Sequence, residues 1–158
     1  MSSVEIRSED GHEWIRLRAE EAEHGQLPAI RVRVEAAAWG FAGADDGVWL
    51  ARTALEQFLA DLTTLENHRR GTAALGSMSP DGLRLTIEVV DRAGHLVVSV
   101  ALAKLKYLRS GGPRAQTIAI SFQADPADLP RILQQVGALP ALADARGAGR
   151  PRAAGSDS

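Results

Sequence analysis

The sequence predicts an α+β fold in which two β-β-β-β-α-like repeats form a mostly antiparallel twisted sheet with two helices on one face. Three observations carry that expectation. An apolar stripe at helical spacing, Leu55, Phe58, Leu59, Leu62 and Leu65, recurs 74 positions later as Leu129, Ile132, Leu133, Val136 and Leu139. A Ser-x-Asp-Gly turn precedes each stripe, Ser8 to Gly11 and Ser79 to Gly82, shifted by 71. Between turn and stripe lie runs that alternate apolar and polar residues, the period of strands with one buried face.

In the first repeat, residues 1–70, Val4 to Arg7 reads as a short edge strand, and Asp10-Gly11 closes a hairpin onto Trp14 to Ala19. Glu20 to Gln26 is polar and reads as a solvated connection. After Pro28, Ile30, Val32 and Val34 alternate with Arg31, Arg33 and Glu35. The stretch Ala36 to Leu50 reads as an extension of that strand, a turn at Asp45-Asp46-Gly47 and a fourth strand, Val48 to Ala51. Thr53 with Glu56 has the capping-box spacing for a helix from Ala54 to about Asn67, and Gly71 ends the element.

The second repeat, residues 71–142, begins with an extended Thr72 to Met78. Leu83 to Val89 and Leu96 to Leu105 alternate cleanly, with a turn at Arg92-Ala93-Gly94 between them. Gly111-Gly112-Pro113 marks a loop before a last strand, Gln116 to Gln123. Asp125 is a preferred N-cap, Pro126 suits the first helical position, and Gly137 is the expected stop. A sheet of seven or eight strands twists strongly, so the alternative to one sheet is a split into two related halves. Residues 1–142 are read as one domain. The remainder, 143–158, is poor in large apolar groups and reads as a flexible tail.

Composition bounds the function. At 158 residues the chain is long enough to bury roughly two-thirds of the surface its unfolded form exposes. Cysteine is absent, which excludes disulfides, thiol nucleophiles and thiolate metal sites and suits a reducing cytoplasm. The N-terminus has no secretory apolar region and no run approaches a membrane span, so a soluble cytoplasmic protein is expected. The net charge of −2 argues against nonspecific nucleic-acid binding. Arginine outnumbers lysine 16 to 2, which GC-rich coding bias explains plainly and a use of guanidinium groups to grip carboxylates or phosphates explains more sharply.

Catalytic signatures are missing. His12, His24, His68 and His95 include no pair at the i, i+4 spacing of a helical metal site, and read as surface or turn residues. Glu9-Asp10, Glu20-Glu21 and Asp45-Asp46 are adjacent carboxylates in turns or loops, without the opposed geometry of an acid/base pair. No nucleophile elbow, P-loop or dinucleotide fingerprint occurs, and Ser77-Met78-Ser79 lacks the glycine frame of one. The chain is read as a non-enzyme with no metal or cofactor. An enzyme using His95 with Asp81 or Asp91 is the remote alternative.

Binding is the better prospect. Arg16, Arg18, Arg31 and Arg33 sit at the polar positions of adjoining strands, so all four project from one face, with Glu13, Glu35 and Glu88 available to balance part of the charge. This is the candidate partner-binding surface; a solvated face with cross-strand ion pairs is the plainer reading. The corresponding positions of the second repeat, Val97, Ser99, Ala101, Ala103, Thr117, Ala119 and Ser121, are small and form either a flat homodimer contact or a face buried within the monomer. Trp39, Phe41 and Trp49 are read as core or loop-anchoring aromatics rather than contact anchors.

Within Leu55 to Leu139 the chain carries Leu55-x-x-Phe58-Leu59-x-x-Leu62-x-x-Leu65, Arg69-Arg70-Gly71-Thr72-Ala73, Ser77-x-Ser79-Pro80, the Leu83 to Val89 strand, and Gly94-His95 before another strand. On these motifs the segment resembles the WapI-type bacterial immunity proteins and similar small domains of unknown function. The resemblance implies a cytoplasmic, non-enzymatic protein that binds and blocks a cognate toxin domain, with no membrane and no specific nucleic acid among its partners. It carries no residue-level motif for that activity. A structural or chaperone-like homo-oligomer is the alternative.

Overall fold

The computed structural model describes residues 3–79 and 82–148. Its eight strands form two antiparallel four-stranded meanders, so the split into two related halves is the form the repeat takes. The first sheet runs β1 (Ser3–Arg7), β2 (Trp14–Glu23), β3 (Ala29–Ala38), β4 (Phe41–Ala51), and is followed by helix α1 (Arg52–His68). The second runs β5 (Gly71–Gly76), β6 (Leu83–Val89), β7 (Leu96–Tyr107), β8 (Pro113–Ala124), and is followed by a 3-10 turn (Pro126–Asp128) and helix α2 (Leu129–Ala148).

Alternation does what it should. Ile15 and Leu17 on β2, Ile30, Val32 and Val34 on β3, Leu83, Leu85 and Ile87 on β6, and Leu96, Val98, Val100 and Leu102 on β7 are all buried. The two helical stripes match residue for residue. Leu55, Phe58, Leu62 and Leu65 are buried in α1, and Leu129, Ile132, Val136 and Leu139 in α2. Leu59 and Leu133, the matching fifth pair, are both partly buried against the same core.

Each helix follows one repeat and leans on the other: α1 packs chiefly on β5, whereas α2 lies on β2 and β1. The helices also touch each other, and β4 approaches β7 and β8 while β3 approaches β8. Exchanging the repeats maps the β4–β7 contact onto β3–β8 and the β4–β8 contact onto itself, which is pseudo-twofold symmetry. The backbone repeats it, since Glu9 in the β1–β2 turn donates to Gln123 O (3.1 Å) and Met78 in the β5–β6 loop donates to Trp49 O (2.9 Å). Trp49 and Gln123 are themselves 74 positions apart. One hydrophobic core results, drawing on both sheets and both helices.

The paired turns share chemistry. Ser8 donates to Glu13 O (2.8 Å) and its hydroxyl accepts from Glu13 N (3.1 Å), while its carbonyl accepts from Gly11 N (3.0 Å). In the second repeat those duties divide: Ser77 donates to Leu83 O (3.1 Å) and its hydroxyl accepts from Leu83 N (2.9 Å), while Ser79 O accepts from Gly82 N (3.1 Å). Ser77 is thus committed to a turn. Pro80 and Asp81 lie outside the described residues.

Several element boundaries differ from expectation, each for a local reason. Glu20 to Glu23 belongs to β2, which continues past a bulge between Ala19 and Glu21. Asp45-Asp46-Gly47 is no turn but a bulge inside β4, because Val48 pairs with Val32 and Asp45 with Val34, leaving β4 one extra residue. The turn lies instead at Trp39-Gly40, where Gly40 takes φ +76°. Thr53 does not cap α1: Ala51 holds the cap position without a side-chain bond, and Arg52 N donates to Pro28 O (3.0 Å). Asp125 does cap, accepting from Ala127 N (2.9 Å), but the element it opens is the 3-10 turn Pro126–Asp128 that leads into α2 at Leu129. Gly137 does not stop α2, which runs on through Pro140 to Ala148 with Ala143 buried. Residues 143–148, grouped by composition with the tail, are therefore its last turns, and the rest of that tail is outside the described residues. No described helix is long and apolar enough to cross a membrane.

Candidate partner-binding surfaces

Because their apolar neighbours face the core, Arg16 and Arg18 on β2 and Arg31 and Arg33 on β3 share the outer face of the first sheet, with Arg18 directly opposite Arg33. Each guanidinium is held by a carboxylate: Arg16 by Glu5 (3.2 Å), Arg18 by Glu20 (2.9 Å), Arg31 by Glu21 (3.0 Å) and Arg33 by Glu35 (3.1 Å). Of the carboxylates expected to balance them, Glu35 alone does so among the described residues; Glu5, Glu20 and Glu21 take the other places. Arg16 also lies over the Trp14 ring at 5.0 Å, a cation–π contact. Arg31 donates to Asp46 O (3.0 Å) and clamps the β4 bulge. The result is an ordered lattice of alternating charge rather than a bare basic patch. Burial alone would raise the Glu5 carboxyl, but hydrogen bonds and charge from Arg7 and Arg16 outweigh it and hold its pKa below the usual value.

Trp49 lies opposite Arg31 across the β3–β4 ladder, so it stands on the same outer face. It is half-buried. Beside it opens a cleft of about 400 Å³ between β4 and the far half of β7 and β8, lined by Trp49, Ser77, Ser79, Ala103, Lys104 and Leu105 among others. A second depression, sharing Trp49 and Ser79, continues past Met78 to Leu27. Leu27, Met78 and Leu105, which line these depressions with Trp49, are exposed by 72%, 44% and 61%.

The cleft is bounded by an arm absent from the sequence reading. β6 stops pairing at Leu102, but β7 and β8 continue as a two-stranded ribbon to the Tyr107–Pro113 pair. From Lys104 to Thr117 every residue of this ribbon and its loop is exposed. A signal was present in the sequence: from Arg92 to Ala124 there are five basic residues and no acidic one, and both lysines of the chain fall at Lys104 and Lys106.

The small-residue face of the second sheet points outward, so burial within the monomer is not its explanation. Thr117, Ala119 and Ser121 are exposed, Val97, Ser99, Ala101 and Ala103 are partly so, and the Ser99 and Ser121 hydroxyls share a 2.9 Å hydrogen bond. Trp39 and Phe41 are not core residues. They are 63% and 69% exposed at the β3–β4 tip, where Trp39 stacks on His12 with ring centroids 4.4 Å apart.

His95 and Asp91 do meet, Nδ1 to Oδ2 at 2.6 Å, but in a surface turn, and they line none of the principal clefts among the described residues. Asp91 also accepts from His95 N (3.1 Å), so the pair closes the turn. His24 joins Arg52 on Asp144, tying the β2–β3 loop and the start of α1 to the end of α2.

The family model for the immunity protein WapI-like family matches residues 5–139, which takes in both repeats. The chain belongs to the immunity protein WapI-like family. No curated protein and no solved structure matches it. In this WapI-like chain the matched span begins in β1 and ends at Leu139, the last residue of the repeated apolar stripe. Membership supports a general role in immunity to a protein toxin.

Proposed function

We propose that this chain is a non-enzymatic cytoplasmic binding protein that neutralises a cognate toxin by occlusion. The observation that carries the reading is the family match over both repeats. The surface proposed for the contact is the face bearing Arg16, Arg18, Arg31 and Arg33. Its support is geometric: the four guanidinium groups are pinned in place by carboxylates, so little side-chain entropy is lost when a partner docks, and each retains donors for a second acceptor. The test is copurification with the toxin encoded beside this chain's gene. Binding is expected for the wild type and a clear loss for the variant with all four arginines changed to serine. Unchanged binding by that variant removes the surface, and no binding by the wild type removes the immunity reading.

A homo-oligomer is the second reading, favoured by the flat outward face of Ser99, Ala101, Ala119 and Ser121. Light scattering across a concentration series separates the two, since a strict monomer excludes it.

A further inference from the structure

We propose that the β7–β8 arm, with the Trp49 cleft at its root, is a docking element for an acidic surface segment of the toxin partner that carries an apolar side chain into the cleft. The inference rests on the immunity reading and adds the chemistry of the partner. Its first support is charge. Lys104, Lys106, Arg109 and Arg114 lie within eleven residues of an exposed ribbon. Among the described residues none of the four has a carboxylate partner, in contrast to the arginines of the first sheet. Arg70, Arg84 and Arg92 also have no ion pair among the described residues, but they are spread along the sequence, whereas the arm gathers four such cations in one ribbon.

The second support is the division of the ribbon into faces. Cross-strand register puts Lys104 with Gln116 and Lys106 with Arg114 on one side, and Leu105 with Ala115 and Tyr107 with Pro113 on the other. Leu105 and Ala115 both line the cleft beside Trp49. Lys104 and Asp45 also line the cleft, so a partner that lays an acidic segment along the cationic side meets Lys104 with a carboxylate while its apolar residue packs against Trp49 and Leu105, with the charged groups kept at the open rim. Single-stranded nucleic acid would use the same cations, but it stacks successive bases on exposed aromatic rings, and here Tyr107 is the ribbon's one aromatic residue while Trp49 at its root is half-buried. Trp49 also joins the cleft to the arginine face through its pairing with Arg31, so both surfaces can serve one partner.

The experiment measures affinity for the neighbouring toxin at low and high salt, using the full chain. K104E/K106E/R109E should weaken binding by about tenfold or more at low salt and flatten the salt dependence. L105S/Y107S should weaken it by a similar factor at both salt concentrations. K104R/K106R, which keeps the charge, should bind as the wild type does, and unchanged thermal unfolding of all three excludes misfolding. If the wild type binds and both loss variants stay within about twofold of it, the docking inference fails alone. If the wild type binds no toxin, both readings fail together. Retention of a single-stranded RNA oligonucleotide by the wild type, lost in the charge-reversed variant, also overturns the proposal.

Discussion

His95 and Asp91 show how a surface pair can look catalytic and act structurally. The Asp91 carboxylate accepts from the imidazole and adds its negative charge, which raises the His95 pKa above its ordinary 6.5. The His95 side chain and backbone N–H lower that of Asp91 below 3.8. A raised histidine pKa stabilises the fold fully below about pH 6.5 and ceases to do so as pH rises through the folded value. A lowered aspartate pKa stabilises it above about 3.8 and is lost as pH falls through the folded value. The turn should therefore be firmest between those limits, by a small amount because both groups are exposed. NMR titration should find the His95 ring above 6.5 in the wild type and close to it in Asp91→Asn. An unchanged titration in that variant would assign the shift to something other than the carboxylate.

At the scale of elements, β1 is an edge strand that α2 covers. Arg131 donates to Glu5 O (2.7 Å), and Glu5 N donates to Gln135 Oε1 (3.0 Å), so the backbone groups of β1 that face away from β2 at this residue are satisfied by side chains of the second repeat. Replacing both with alanine should cost about 1–3 kcal/mol by leaving those groups without protein partners. It should also expose a strand edge that invites pairing between chains. Urea unfolding reads the first effect and light scattering the second; a variant as stable and monodisperse as the wild type would show that the cap contributes nothing. Such contacts are where sequence legibility ends. The stripes at Leu55 and Leu129 were legible because helical burial repeats at fixed spacing. Gly137 misled because glycine's commonest role near a helix end is a left-handed stop, while here it stays helical with Leu59 of α1 packed beside it. Asp45-Asp46-Gly47 misled similarly, since turn residues also suit bulges, and only pairing with β3 tells the two apart. The arginine face followed from alternation within β2 and β3, whereas the cleft joins Trp49 to Leu105 through tertiary packing that no local pattern encodes.

The whole molecule depends on the two repeats sharing one interior. Each helix leans on the other repeat's sheet, and the sheets themselves meet closely where a Cβ placed on Gly43 of β4 would lie 3.0 Å from Ile118 Cγ2 of β8. Gly43→Val should force these strands apart and cost about 1–3 kcal/mol, as overpacking generally does. Phe58→Ala, which empties a site with no exposure at all, should cost about 3–5 kcal/mol. The locations matter more than the sizes. Were the repeats independent, Gly43→Val would act only on their junction, and Phe58→Ala would destabilise one repeat while the other kept its own transition. A shared core requires that both variants move a single unfolding transition, seen at the same midpoint by tryptophan fluorescence, which reports Trp14, Trp39 and Trp49 in the first repeat, and by circular dichroism, which reports both helices. It also requires that fragments 1–70 and 71–148 be largely unfolded alone and recover structure on mixing, because each lacks the helix or sheet that covers its apolar face. Two resolved transitions, or a fragment with a cooperative melt of its own, would show that the duplicated halves had kept separate stability.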